Sequence, residues 1–191
     1  MSSILLTPPA VEPVTLAEAK AYLRVAHDDD DDVISALIAG ARIHIEAQTR
    51  RALITQTWQL RRDFWPGDGR LEVVPAPVGE ILAGRIYDAA GTPHALDVAA
   101  LTLDRAAAPA VIGFLPGAMP PPGRAVAGIE IDIEAGYGDA PADVPEPLRQ
   151  AIRLLVAHWY ENRGLIALGQ TVSVLPATVA AMIAPYRVLS L

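Results

Sequence analysis

Residues 136 to 164 constrain this chain more than any other stretch. Gly-Tyr-Gly-Asp-Ala-Pro-Ala-Asp-Val-Pro-Glu-Pro-Leu-Arg-Gln-Ala-Ile-Arg-Leu-Leu-Val-Ala-His-Trp-Tyr-Glu-Asn-Arg-Gly reads as a turn feeding one strong helix. Leu148, Ala151, Ile152, Leu155, Val156 and Trp159 recur at steps of three and four, which puts them on one stripe, while Arg149, Arg153 and Arg163 fall outside it. Asp143 and Glu146 have the spacing of a capping box, and Pro145 and Pro147 suit a first turn whose amides need no partner inside the helix. Gly164 supplies the stop. A stripe this wide has to be covered, so other helices must come to it.

Two earlier segments qualify. Thr15 and Glu18 form a capping box that opens a short helix, with Leu16, Ala19, Tyr22 or Leu23 toward a core. Val33, Ile34, Leu37, Ile38, Ala41 and Ile45 predict a longer helix over roughly 30 to 51. Asp28 to Asp32 lie at its start, without the alternating ligands and glycine of a calcium loop, so they read as carboxylates at a positive helix end. Arg50 and Arg51 complete the dipole pattern at the other end and are candidates to meet acidic groups on a neighbouring subunit, as are Arg149 and Arg153.

From Thr55 the period changes to two. Trp58, Leu60 and Phe64 alternate with Gln59, Arg61 and Asp63, and Pro66-Gly-Asp-Gly69 turns the chain. Short strands are expected at 71 to 74, 81 to 87, 101 to 104, 111 to 115 and 126 to 134. In the last, Ile129, Ile131 and Ile133 face one side and Glu130, Asp132 and Glu134 the other, a pattern that reads as a solvent face rather than a cation site. Residues 116 to 123, rich in proline, predict a projecting loop, and residues 1 to 13 an extended arm.

An uncharged loop from Leu165 should lead into a helix from about Pro176, with Val179, Met182 and Ile183 on one face, ending before Pro185. Tyr186, Arg187, Val188, Leu189 and Leu191 then form an apolar tail, placed either against a partner or back on the helical core. Residues 164 to 186 lack any charge, yet Gly169, Gln170, Thr171, Ser173 and Pro176 interrupt them, which argues against a membrane span. The fold class expected is α+β: a small bundle of about four helices, 1–54 with 139–191, carrying a strand-rich insertion, 55–138, between helices 2 and 3.

Composition narrows the function. The 191 residues include no cysteine, which excludes disulfides and thiolate chemistry and fits assembly in a reducing cytoplasm. No basic and apolar leader precedes Lys20. The net charge of −7 argues against gripping nucleic acid, although an acidic wall would let a duplex slide past. No serine sits in a nucleophile-elbow setting, no glycine-rich loop cradles phosphate, and His44 with Glu46 or His158 with Glu161 read as packed helix surface. No catalytic, cofactor or metal residue is therefore expected.

Gly136-Tyr-Gly-Asp139, Asp143-Val-Pro-Glu-Pro-Leu-Arg-Gln-Ala-Ile152 and His158-Trp-Tyr-Glu-Asn-Arg163 resemble the head-tail connector (adaptor) proteins of long-tailed bacteriophages and of phage-derived gene transfer agents. The likeness extends to Val14-Thr-Leu-Ala-Glu-Ala-Lys-Ala-Tyr-Leu-Arg24 with its acidic run, to Pro75-Ala-Pro-Val78 and to Ile86-Tyr-Asp-Ala-Ala-Gly91. Where that family usually shows Trp-Pro in the proline-rich loop, this chain has Met119-Pro120. The resemblance implies a virion structural protein without chemistry of its own, forming a homo-oligomeric ring, dodecameric, under the portal. DNA would pass through it unbound, with a tail-side stopper or terminator protein as the further partner. It also implies portal contact by the C-terminal segment, hence by Val179, Met182, Ile183, Tyr186, Arg187, Val188, Leu189 and Leu191. A tail-completion or stopper protein of the same particle is the alternative, and a small hydrolase a more distant one.

Overall fold

The computed structural model describes residues 2–162 and 175–188. The chain divides into two compact units: a sheet unit, Met1–Pro9 with Thr55–Tyr137 and Val188–Leu191, and a helical unit, Ala10–Ile54 with Gly138–Arg187.

In the helical unit, α1 (Leu16–Leu23), α2 (Asp31–Thr49), α3 (Glu146–Glu161) and α4 (Ala177–Ile183) pack pairwise, with α3 against each of the others. The reason is the stripe: Leu148, Ala151, Ile152, Leu155 and Val156 are buried, and so are Ile34, Ile38, Ala41 and Ile45 of α2. Trp159, expected on the stripe, is only half-buried at its end, where its ring meets His44 edge-on at 6.0 Å. Thr15 and Glu18 make the predicted capping box on α1. The one expected at Asp143 and Glu146 does not form. Asp143 accepts the Ala140 N–H at 2.9 Å and closes a 3-10 turn at Pro141–Asp143, while Glu146 turns to Arg149 and Arg153. With proline at N-cap and second position of α3, few first-turn amides remain to be capped.

In the sheet unit, β1 (Ser2–Thr7), β2 (Gln56–Arg62), β8 (Ile129–Ala135), β4 (Val78–Tyr87) and β5 (Pro93–Ala95) form one sheet in that order, every pair antiparallel. A second sheet has the order β3 (Arg70–Val73), β7 (Ala110–Gly113), β6 (Thr102–Asp104). Ile129, Ile131, Ile133, Leu60, Leu71 and Ile112 are buried to 1% exposure or less and are the largest fully buried side chains of its core.

Of the expected fold class, the small helical bundle is corrected here: the chain is a mixed α+β fold, with four helices and two antiparallel sheets among the described residues. The first residues, expected as an extended arm, supply an outer strand of the larger sheet, and two of the four helices among the described residues have eight residues or fewer. Sheet pairing is non-local, so a strand 50 residues from its partner shows no periodic sign of belonging to it. Among the described residues, no helix is long and apolar enough to cross a membrane. The stop at Gly164, the uncharged loop from Leu165 and residues 164–174 of the 164–186 span lie outside the described residues.

Candidate functional site

Among the described residues, no group of three or more His, Cys, Asp or Glu side chains is placed to hold a metal ion. The acidic run illustrates how charge is used. Lys20 Nζ reaches both Asp28 and Asp31 at 2.6 Å, tying α1 to the start of α2, and the Tyr160 hydroxyl donates to Asp30 at 2.5 Å. Hydrogen bonds from Lys20 hold the Asp28 carboxyl below its usual range. The run therefore works as a helix-end lock, with Asp29 left exposed.

The arginines proposed from sequence as partner contacts are drawn into the same unit. Arg149 Nε donates to the Pro13 carbonyl at 3.0 Å, and its guanidinium pairs with Glu18 at 2.6 Å and Glu146 at 2.9 Å. Arg153 shares Glu146 at 2.8 Å and donates to Gln150. Glu146 is held below the ordinary carboxylate range, chiefly by the hydrogen bond from Arg153; Glu18 is held low chiefly by the Thr15 backbone N–H. Arg50 is the exposed left-handed C-cap of α2, and Arg51 Nε donates to the Tyr186 carbonyl at 2.6 Å.

The C-terminal candidates divide by burial. Val179 and Ile183 are at most 1% exposed, on a helix packed against α3 and α2, and Val188 is 4% exposed. Met182 and Tyr186 are half-buried, and Arg187 is exposed, its guanidinium 3.3 Å from the Gln48 side-chain oxygen. α4 ends at Ile183, before Pro185 as expected, and Pro185 sits inside a 3-10 turn, Ala184–Tyr186, that follows it. Leu189 and Leu191 lie outside the described residues.

The sheet unit offers features that the sequence reading misplaced. Glu130 and Asp132, read as a solvent face, are 5% and 9% exposed. β8 is central, so long side chains on β2 and β4 close over its carboxylates. Arg61 reaches Glu130 at 3.1 Å, the Tyr87 hydroxyl donates to Glu130 at 2.8 Å, Arg85 reaches Asp132 at 2.5 Å, and Gln59 donates to Asp132 at 3.2 Å. The Glu130 hydrogen bond holds the Tyr87 phenol above its usual pKa. Such a network leaves few sites for an ion.

Phe64, expected to alternate into a strand, lies beyond the end of β2 and is 72% exposed; Leu115 and Val126 are equally bare at 72% and 71%. Phe64 and Val126 border a cleft of about 300 Å³, with Arg61 and Arg62 also lining it. Trp65 pins the proline-rich loop from below, donating to the Pro120 carbonyl at 3.0 Å and meeting the Phe114 ring edge-on at 4.9 Å. β1 contributes a further apolar row, Ile4, Leu5 and Leu6, whose uncharged run was the only sequence signal for it.

These surfaces can be compared with those of solved assemblies. A protein in the neck of an empty gene transfer agent particle, computed with C6 symmetry, matches at a TM-score of 0.85 and 28% identity, covering 100% of this chain and 97% of that one. A chain from the virion of a native gene transfer agent particle matches at 0.82 and 26% identity, over 100% and 97%. A third, from the neck of a native particle computed with C12 symmetry, matches at 0.72 and 28%, over 98% and 97%. No curated protein sequence matches the chain. The family model described as phage gp6-like head-tail connector protein matches residues 13–78 and 123–187. Carrying that family's pattern over well more than half its length, the chain belongs to the phage gp6-like head-tail connector proteins.

Proposed function

We propose that this chain forms a ring in the neck of a phage or gene transfer agent particle, beneath the portal, joining the DNA-filled head to the tail-side components. The observation that carries the reading is the full-length match at a TM-score of 0.85 to a protein from the neck of a gene transfer agent particle. Twelve copies are proposed, from the C12 symmetry of the native neck. DNA passes through the ring without being held, which the net charge of −7 favours. Assembly takes place in the bacterial cytoplasm, where a chain without cysteine loses nothing to reduction.

Portal contact is assigned to the C-terminal segment. Of its candidates among the described residues, Met182 and Tyr186 are half-buried and Arg187 is exposed, so these have surface to offer, whereas Val179 and Ile183 already serve the chain's own packing; Leu189 and Leu191 are assigned from their apolar character in the sequence. Arg50 contributes a charge to the ring contacts, and Arg149 and Arg153 act through the helices they brace.

The test is removal of Leu189 to Leu191, which leaves the Arg51 bond to Tyr186 in place. The shortened chain should fold with an unchanged circular dichroism spectrum, fail to co-purify with portal protein, and yield particles with unattached tails. A truncated chain that still joins heads to tails would remove the portal assignment. A full-length chain that ignores portal protein, and is missing from purified necks, would remove the connector reading altogether.

A further inference from the structure

We infer that neighbouring copies join edge to edge, the outer side of β1 in one copy adding to the outer side of β4 in the next, so that the larger sheet runs on across the subunit boundary. The inference rests on the ring reading above and names the contact that makes the ring.

β1 is the outermost strand on its side, and β2 is the only strand that pairs with it among the described residues. Its backbone therefore presents a row of donors and acceptors outward. Soluble proteins blunt such an edge with charge or proline, yet Ser2–Thr7 contains neither, and Ile4, Leu5 and Leu6 are 38%, 41% and 47% exposed. On the far side of the same sheet, β5 pairs with β4 from Arg85 to Tyr87, the Leu96 N–H extends that cover to the Gly84 carbonyl at 2.9 Å, and the 3-10 turn Val98–Ala100 lies against the same strand. From Val78 to Leu82 no described strand pairs with the outer side of β4, and Leu82 is 44% exposed. Glu80 is the only charge along that stretch, so no like-charge pair opposes contact.

Strand sense decides the occupant. β1, β2, β8 and β4 are successively antiparallel, so β1 and β4 run in opposite directions. A twelve-fold axis turns each copy by only about 30° relative to the next, which does not reverse a strand. The neighbour's β1 thus arrives antiparallel to β4, the arrangement every other pair in this sheet has. Two different open edges on each copy make a head-to-tail contact, the kind that closes into rings, and use up both edges without a third component.

The absence of cysteine allows a direct test by disulfide trapping. Leu5→Cys or Leu6→Cys, beside the register shift of β1, is combined in one chain with Glu80→Cys or Leu82→Cys. Necks from particles carrying each double variant are oxidised and run on non-reducing gels, with thermal melts confirming that the variants fold. At least one double variant should give a ladder of covalent dimers, trimers and higher species, and the single variants should give none. Dimers from Leu5→Cys or Leu6→Cys alone would mean that two β1 edges pair with each other, and a cross-link to a different protein would mean that a partner takes the edge; either overturns the inference. Rings seen by electron microscopy with no ladder from any double variant would overturn it while leaving the connector reading intact. Necks without this chain would instead defeat the connector reading.

Discussion

Glu130 shows how far a residue's meaning depends on what flanks it. Alternation with three isoleucines made it look solvated, yet it lies 5% exposed under Arg61, Arg85 and Tyr87. Glu130→Ala would leave those groups facing each other without the carboxylate that organises them, and should cost about 2 to 3 kcal/mol, read from denaturant unfolding. Glu18 and Glu146 make a pH-dependent contribution in the helical unit. Both are held below the carboxyl's ordinary value of 4.5. A carboxylate lowered on folding stabilises the native state above its unfolded pKa and loses that contribution as pH falls through the native value. The melting temperature should therefore drop as pH is lowered from about 4.5 toward 3, and Glu146→Gln should flatten the drop. An unchanged slope in that variant would show that the Arg149 and Arg153 pairs contribute nothing measurable.

At the scale of elements, two short devices set where segments begin and turn. The Thr15 cap of α1 is reciprocal, the hydroxyl accepting from Glu18 N and the Glu18 carboxylate from Thr15 N at 2.8 Å. Thr15→Ala should cost about 1 kcal/mol in thermal or chemical unfolding. The turn before β3 depends on Gly69, at φ +72°, where a Cβ would lie 2.4 Å from the Phe114 carbonyl oxygen. Gly69→Ala should destabilise the sheet unit by about 2 kcal/mol or more, because backbone rather than a pliable side chain blocks the space. The capped helix α1 was legible from Thr15 and Glu18 because a cap is local. β5 was not, since three exposed residues carry no periodicity and acquire strand form only from pairing with Arg85 to Tyr87.

For the molecule as a whole, membership of a structural connector family makes this a building component and not an enzyme. Phe64, Leu115 and Val126, each more than 70% exposed, are proposed as surface for a neighbour. Replacing Phe64 and Val126 together by Ser should leave the melting temperature of the isolated chain within about 2 °C of wild type. The same change should lower the yield of tailed particles, counted by electron microscopy. A normal yield would show that the cleft beside Arg61 and Arg62 takes no part in assembly.

The amino-acid order by itself determined the long helices, the Thr15 cap, the change of period at Thr55 and the family motifs, since each of these is written within a few turns or strands of chain. Only the tertiary structure decided that Ser2–Thr7 becomes the edge of a sheet, that Glu130 and Asp132 are covered, and that Val179 and Ile183 face inward. Those outcomes depend on which distant segments arrive beside them. A strand's two faces look alike in sequence until its neighbours supply the arginines, or the open water, that distinguish them.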